Sequence, residues 1–196
     1  MSAKRAAKRE RILDAAALEI ARHGYYGTTV ATIAGRAGVA DGTIYLYFKS
    51  KEEILVSIFE RAMGQFIAQA RDIVDDAAAG AEDKLRRLIA LHLTLLGADR
   101  DLAVIFQVEF RHTLHVLELL SRSRLQEYLA LIARIVDEGK RDRVFRADVD
   151  PLVSAKLVFG VLDETATDWV LSKKNTRMAA RAGPVSDFVL RGLRAD

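Results

Sequence analysis

A short segment near the beginning of the chain, residues 41–51, combines one carboxylate with hydroxyl and ammonium side chains. Hydroxyl and ammonium groups suit the phosphate oxygens of a nucleic acid, whereas carboxylates and apolar side chains can contact base edges. Ser50 and Glu53 have the Ser-x-x-Glu spacing of a capping box, so a new helix is predicted to begin directly behind the segment. The chemistry that these residues predict is DNA recognition by one short helix.

Three predicted helices position this segment. The first spans about residues 8–23 and carries an apolar stripe, and glycines bracket the turn that follows it. The second spans residues 30–37, begins after a threonine that can cap it, and ends at Gly38, which permits a tight turn. The third runs from residue 40 or 41 to 48 and turns Ile44 toward a small core. This order of elements predicts a helix-turn-helix.

Two motifs carry a resemblance to a known family. Residues 29–39 read Thr-x-x-x-Ile-Ala-x-x-Ala-Gly-Val, and residues 42–52 read Gly-x-x-Tyr-x-Tyr-Phe-x-x-Lys-Glu. Both resemble the signature of the TetR family of bacterial transcriptional regulators. Residues 38–67 and 159–170 are further similar to the FadR-type repressors of fatty-acid degradation within that family. The resemblance covers nearly the whole chain and implies a repressor that long-chain acyl-CoA releases from its operator DNA.

The resemblance also implies which residues contact DNA. Base edges in the major groove are assigned to Asp41, Gly42, Tyr45 and Leu46, and phosphates to Thr29, Thr43, Tyr47 and Lys51. The residues themselves leave a second interpretation open, in which Asp41 only caps its helix and Tyr45 only packs. The basic run at residues 4–11 is equally open to two interpretations, a solvated disordered arm or a contact with DNA.

The charge distribution agrees with a DNA-binding head. Residues 1–51 hold nine Lys or Arg against four Asp or Glu, whereas the whole chain of 196 residues has a net charge of only +3. The absence of cysteine excludes disulfides, thiol catalysis and thiolate metal sites. No apolar run has the length of a membrane span and no signal-peptide pattern is found, so we expect a cytoplasmic protein with no membrane partner.

The remainder of the chain is predicted to be helical. Helix ends are predicted at Gly97 and Gly139, a helix start at residues 150–151, and a kink or restart at residues 183–184. No alternating strand pattern is found. We therefore expect an all-α fold in which a three-helix helix-turn-helix DNA-binding head, residues 1–50, is joined to a larger six-helix ligand-binding and dimerisation body, residues 51–196.

The body has enough apolar side chains to line an elongated tunnel. The resemblance implies that this tunnel takes a fatty acyl chain with coenzyme A at its mouth, and each buried methylene contributes about 0.8 kcal/mol. The effector is thus long-chain acyl-CoA, and no cofactor is expected. The candidates for the acyl chain are Phe66, Ile67, Leu88, Leu91, Leu95, Phe106, Phe110, Leu125 and Leu129, and those for the phosphates are Arg86, Arg111 and Arg122.

Analogy with the family further predicts a homodimer on a palindromic double-stranded operator, formed through the last two helices. The apolar residues assigned to that surface are Leu157, Val161, Leu162, Thr165, Trp169, Phe188, Val189 and Leu190.

Catalytic and metal sites are not expected. No Gly-x-Ser-x-Gly elbow or glycine-rich phosphate loop is found, and the acidic cluster Asp163, Glu164 and Asp168 is interpreted as a solvated or interface face. The histidines at positions 92, 112 and 115 lack metal-ligand spacing and are interpreted as hydrogen-bonded polar residues. The alternative function is a TetR-type repressor that senses another lipophilic molecule, such as a drug or a signalling lactone.

Overall fold

The computed structural model describes residues 3–109, 124–172 and 176–195. These ranges confirm the all-α fold, and their one β pairing is an isolated bridge between Phe145 and Arg194. A π-helical turn, Ile105–Glu109, follows α6, and a 3-10 turn, Met178–Arg181, precedes α9. The helices of the described residues are α1 (Ala3–Gly27), α2 (Val30–Ala37), α3 (Asp41–Ile44), α4 (Lys51–Val74), α5 (Ala81–Ala98), α6 (Arg100–Val104), α7 (Arg124–Arg141), α8 (Pro151–Leu171) and α9 (Ala182–Leu193).

The chain divides into two compact units. Among the described residues, the first unit contains residues 3–62 and 101–109, and the second contains residues 63–100, 124–172 and 176–195. Helix α4 begins in the first unit and ends in the second. The boundary after residue 50 that the sequence suggests stays a prediction.

The first unit contains the predicted helix-turn-helix. Helix α2 has the predicted bounds because Thr29 caps its start and Gly38, with φ +61°, ends it in the left-handed conformation. Helix α1 is longer than predicted, because it already begins at Ala3 and its last turn continues past a break at Gly24, where φ is +74°.

The recognition helix is shorter than predicted. Helix α3 ends at Ile44, and a turn leads through Tyr47 to the buried Phe48. Backbone hydrogen bonds continue the turn beyond this end, since the Tyr47 and Phe48 N–H groups donate to the Ile44 oxygen at 2.9 and 3.0 Å. The Glu53 carboxylate accepts the Lys49 N–H at 2.6 Å, which caps the start of α4.

The second unit contains two corrections of the sequence analysis. Helices α5 and α7 end at Ala98 and Arg141, one and two residues after Gly97 and Gly139, so each glycine lies in the last turn of its helix and not directly after it. A Cβ at Gly97 would lie 2.8 Å from the Met178 Cβ, and one at Gly139 would lie within 2.8 Å of three ring carbons of Phe145. Both glycines are required by close packing and not by a turn. The predicted start of α8 is confirmed, since Asp150 accepts the Val153 N–H at 2.8 Å.

We predict that Gly139→Ala lowers the free energy of unfolding by about 1–3 kcal/mol, because the added methyl group overpacks the Phe145 ring. Gly35→Ala is the matched control, since Gly35 lies inside α2 with nothing within 4 Å of the added Cβ. The control gains up to about 1 kcal/mol from helix propensity. Urea denaturation measures both changes, and a Gly139→Ala variant as stable as the wild type contradicts the packing explanation.

Candidate DNA-binding surface and effector site

The recognition segment, residues 41–47, separates buried from exposed side chains. Ile44 belongs to the core of the first unit, and so does the following Phe48. Tyr45 and Leu46 are 60% and 70% exposed, although both carry large apolar surfaces. Adjacent exposed side chains of this kind, next to the turn of a helix-turn-helix, are in the position from which such motifs contact base edges.

The start of α2 presents a second polar surface of the head. The Thr29 hydroxyl accepts the Thr32 N–H at 3.2 Å, and the Thr32 hydroxyl accepts the Thr29 N–H at 3.1 Å. Both threonines are exposed. An exposed helix N-terminus with hydroxyl groups attracts anions, because the helix dipole places partial positive charge there.

Lys51 holds the connection between α1 and α2. Its Nζ donates to the backbone oxygens of Tyr25 at 2.7 Å and Thr28 at 2.8 Å, and it lies 4.2 Å from the centre of the Tyr25 ring. An ammonium group has three N–H donors, so two of them serve the fold of the head. The sequence analysis missed this structural role, because both acceptors are backbone atoms distant in sequence.

The same connection is held from its other side by Glu109. The carboxylate of Glu109, at the end of the π-helical turn, accepts the Tyr25 N–H at 2.7 Å. This N–H is available because Gly24 breaks the helical hydrogen-bond pattern immediately before it. The peptide groups of Tyr25 are therefore bound on both sides, by Glu109 at the N–H and by Lys51 at the carbonyl.

The basic residues at the start of α1 are helical, so the interpretation of residues 4–11 as a disordered arm is wrong. The Arg5 guanidinium lies 5.7 Å from the centre of the Tyr47 ring, and that of Arg9 lies 5.1 Å from the Phe48 ring. These contacts place positive charge beside the recognition segment.

In the second unit, four rings from four helices form an aromatic cluster, defined as Phe66, His92, Tyr128 and Phe159. Tyr128 is central, with ring centres 4.7 Å from Phe66, 5.7 Å from His92 and 5.9 Å from Phe159. The Tyr128 hydroxyl lies 3.1 Å from the Nδ1 of His92. Burial lowers the pKa of His92 to about 4 and raises that of Tyr128, so both groups are neutral near pH 7.

Helices α8 and α9 carry an exposed apolar surface. Leu157 and Phe188 are 66% and 69% exposed and line a shared groove with Val161. Several residues that the sequence analysis assigned to this surface are instead core of the protomer. Leu162, Trp169, Val189 and Leu190 are buried within the second unit.

The comparisons with known proteins agree with this arrangement. The family model "Bacterial regulatory proteins, tetR family" matches residues 12–58, and "YsiA-like protein, C-terminal region" matches residues 59–192. The chain belongs to the TetR family of bacterial regulators.

The similarity of this TetR-family regulator to named relatives extends over nearly its whole length. It is 37% identical to the fatty acid metabolism regulator protein of Bacillus subtilis, over 93% of each chain. The crystal structure of B. subtilis FadR in complex with stearoyl-CoA matches with a TM-score of 0.88, covering 93% of this chain and 98% of that one. FadR from Bacillus halodurans is 39% identical with a TM-score of 0.89, covering 96% of this chain and 97% of that one.

In this TetR-family regulator the predicted DNA-contacting residues all belong to the first unit. Five of them are exposed: Thr29, Asp41, Gly42, Tyr45 and Leu46. Three are half-buried: Thr43, Tyr47 and Lys51. Their contacts with bases or phosphates stay predictions.

The predicted effector residues fall into four groups. Seven lie on helices of the second unit: Phe66, Ile67 and Leu88 are buried, and Leu91, Leu95, Leu125 and Leu129 are half-buried. Phe106 belongs to the first unit, where its ring centre lies 5.3 Å from that of Phe59. Arg86 donates to Asp187 at 2.8 Å. Phe110, Arg111 and Arg122, like His112 and His115, lie outside the described residues.

The prediction that the histidine at position 92 is a hydrogen-bonded polar residue is confirmed for one ring nitrogen only. Nδ1 lies 3.1 Å from the Tyr128 hydroxyl, whereas Nε2 is buried without a hydrogen-bond partner among the described residues. The signal in the sequence is the spacing of Leu88, Leu91, His92 and Leu95, which puts one polar ring into an apolar helical stripe.

Two other features are absent from the described residues. Within the described ranges, no three His, Asp or Glu side chains come together in a way that could hold a metal ion. None of the described helices is long and apolar enough to cross a membrane. The acidic cluster on α8 contains an ion pair, since Asp168 accepts from Arg181 at 2.6 Å.

Proposed function

We propose that this protein is a homodimeric repressor of fatty-acid degradation genes that binds a palindromic operator and is released by long-chain acyl-CoA. The observation that carries the proposal is the similarity, over 93% of this chain, to a regulator whose crystal structure contains stearoyl-CoA. The protein acts by binding alone and catalyses no reaction, and its place is the cytoplasm, where the DNA is.

In the proposed DNA complex, the recognition segment enters the major groove. Asp41, Gly42, Tyr45 and Leu46 face the bases, and Thr29, Thr43, Tyr47 and Lys51 face the phosphates. The exposure of Tyr45 and Leu46 and the hydroxyls at the start of α2 support this division.

Helix α4 is the proposed connection between effector and DNA. Its 24 residues begin directly behind the recognition segment and continue into the second unit, a length of about 36 Å. An acyl chain that contacts Phe66 and Ile67 therefore acts on the helix that leads to the recognition segment. The DNA-bound and the effector-bound states of the dimer differ in the separation of the two recognition helices. Release follows because the effector has different affinities for these two states.

We expect stearoyl-CoA to weaken operator binding by about 5- to 150-fold, the range of typical allosteric coupling energies. Fluorescence anisotropy of an operator fragment selected from random DNA by the protein measures this change. Because linkage is reciprocal, operator DNA must weaken stearoyl-CoA binding by the same factor. Coenzyme A without an acyl chain is the control and leaves operator binding unchanged.

Two outcomes contradict the proposal in different ways. Equal stearoyl-CoA affinities with and without operator exclude the switch even when both ligands bind. A protein that binds operator but not stearoyl-CoA is the TetR-type repressor of another lipophilic molecule. Recovery of intact stearoyl-CoA after incubation checks that no turnover occurs.

We predict that Lys51→Met and Tyr47→Phe both weaken binding to all DNA sequences, but that only Lys51→Met reduces the salt dependence. Loss of one phosphate contact reduces the slope of log K against log salt by about 0.9. Affinity measured from low to moderate salt gives this slope. A Lys51→Met variant with weaker binding and an unchanged slope has lost only its bonds to the Tyr25 and Thr28 carbonyls, and the phosphate assignment is then wrong.

The homodimer is proposed to form through α8 and α9. Leu157 and Phe188 support this, because two exposed side chains of this size on one groove leave a large apolar area in water. A dimer is also what a palindromic operator requires, since each head contacts one half-site.

We predict that Phe188→Lys converts the dimer to a monomer and abolishes operator binding, because it places a charge in the apolar interface. Ala130→Lys is the matched control, since Ala130 is exposed on α7. Sedimentation equilibrium gives the mass of each variant. A dimeric Phe188→Lys variant, or a monomeric Ala130→Lys variant, excludes the proposed surface.

A further inference from the structure

One buried ring nitrogen of the second unit has no hydrogen-bond partner among the described residues. The imidazole of His92, on α5, is half-buried as a whole, but its Nε2 is shielded from solvent and makes no hydrogen bond with the described residues. Buried polar atoms of proteins are paired in the large majority of cases. A buried donor without a partner costs about 1–3 kcal/mol. We therefore expect this atom to have a hydrogen-bond partner when the protein has bound its ligand.

The other ring nitrogen indicates which chemistry the partner has. Nδ1 lies 3.1 Å from the Tyr128 hydroxyl, and a neutral imidazole has one N–H donor and one acceptor nitrogen. A hydroxyl can donate to this nitrogen or accept from it. In the arrangement where it donates, the proton of the ring is on Nε2. Burial holds the ring neutral by lowering its pKa to about 4. Nε2 is then a donor, and its missing partner is an acceptor such as an oxygen.

Apolar side chains lie beside His92 on its own helix and on α4. Leu88, Leu91 and Leu95 occupy the same stripe of α5, and the Phe66 ring centre lies 5.6 Å away in an edge-to-face arrangement. These are residues assigned to the acyl chain of the effector. A saturated acyl chain offers no acceptor to an N–H group along its length. Its thioester carbonyl is the one oxygen directly attached to it.

We propose that His92 donates a hydrogen bond from Nε2 to the thioester carbonyl oxygen of bound acyl-CoA. Tyr128 is a positioning residue, since its hydroxyl fixes the ring orientation and the proton on Nε2. This assignment rests on the proposed function. It identifies the His92 N–H as the group that distinguishes a thioester from an equally long hydrocarbon.

The test compares stearoyl-CoA with its thioether analogue, S-octadecyl-CoA, which keeps the chain and the nucleotide but lacks the carbonyl oxygen. The wild-type protein binds the thioester more tightly by about 2- to 10-fold, the value of one neutral hydrogen bond. His92→Phe, which keeps a ring of similar size, binds both ligands with equal affinity. Tyr128→Phe reduces the preference, and His92→Gln, which keeps an N–H donor, retains part of it.

A second measurement uses the wild-type protein and so does not depend on a variant that folds. The ¹⁵N and ¹H signals of the His92 Nε2–H shift downfield when stearoyl-CoA binds, and shift less with the thioether. Unchanged signals with stearoyl-CoA overturn the assignment.

The affinity measurements separate three further results. A His92→Phe variant that keeps the full thioester preference, whether or not it binds both ligands more weakly, shows that the ring only packs or that another group contacts the carbonyl, and overturns the assignment. A wild-type protein that binds neither ligand contradicts the proposed function itself, whereas binding without any preference contradicts only the role of His92.

Discussion

The peptide groups of Tyr25 are the point on which the geometry of the first unit depends. Gly24, with φ +74°, interrupts α1 and leaves backbone groups without helical partners. Glu109 accepts the freed N–H, and Lys51 donates to the carbonyl. Buried or half-buried backbone groups must be paired, so these two side chains determine how the chain turns from α1 into α2. A residue with a Cβ at position 24 is strained in this conformation.

This constraint brings three separate parts of the chain to one peptide. Glu109 ends a π-helical turn, Lys51 begins α4, and Thr28 adds a bond from its hydroxyl to the Gly24 oxygen at 2.9 Å. A π-helical turn shifts the register of the residues after it, and such turns are frequent at functional sites. Both α4 and the π-helical turn thus contact, through Lys51 and Glu109, the segment that leads into α2. Lys51 serves the fold of the head and is also a proposed phosphate contact.

The sequence predicted those elements whose signals are local. Helix α2 and the start of α8 have the predicted bounds because cap, glycine and proline lie within a few residues of the helix end they determine. Gly97 and Gly139 were predicted only as helix ends, because a glycine can either end a helix or admit a close neighbour and the pattern does not distinguish the two. The neighbour of Gly97, Met178, is distant in sequence, and that of Gly139, Phe145, follows the end of the helix.

The candidate sites also contain parts that a local sequence signal predicts and parts that depend on contacts between distant residues. The recognition segment could be predicted because its motif is continuous, whereas the bonds of Lys51 span 26 and 23 residues and end on backbone atoms. The aromatic cluster is harder still, since its rings come from four helices and only Phe66 was assigned to the effector. The histidine was visible as a polar residue in an apolar stripe. Its unpaired nitrogen was not, because pairing is a property of the packed structure.

An apolar lining and one buried donor contribute differently to recognition. A lining of leucine and phenylalanine side chains provides affinity in proportion to the area buried, but each methylene changes binding by only about 1–3 kcal/mol, so many lipophilic molecules fit. A buried N–H group discriminates by another rule, because a ligand without a suitable acceptor leaves it unpaired. In the proposed effector site, affinity for the chain therefore comes from the leucines around His92. Selection of the chemical class that carries the chain requires a polar atom among them, which is the role proposed for His92 Nε2.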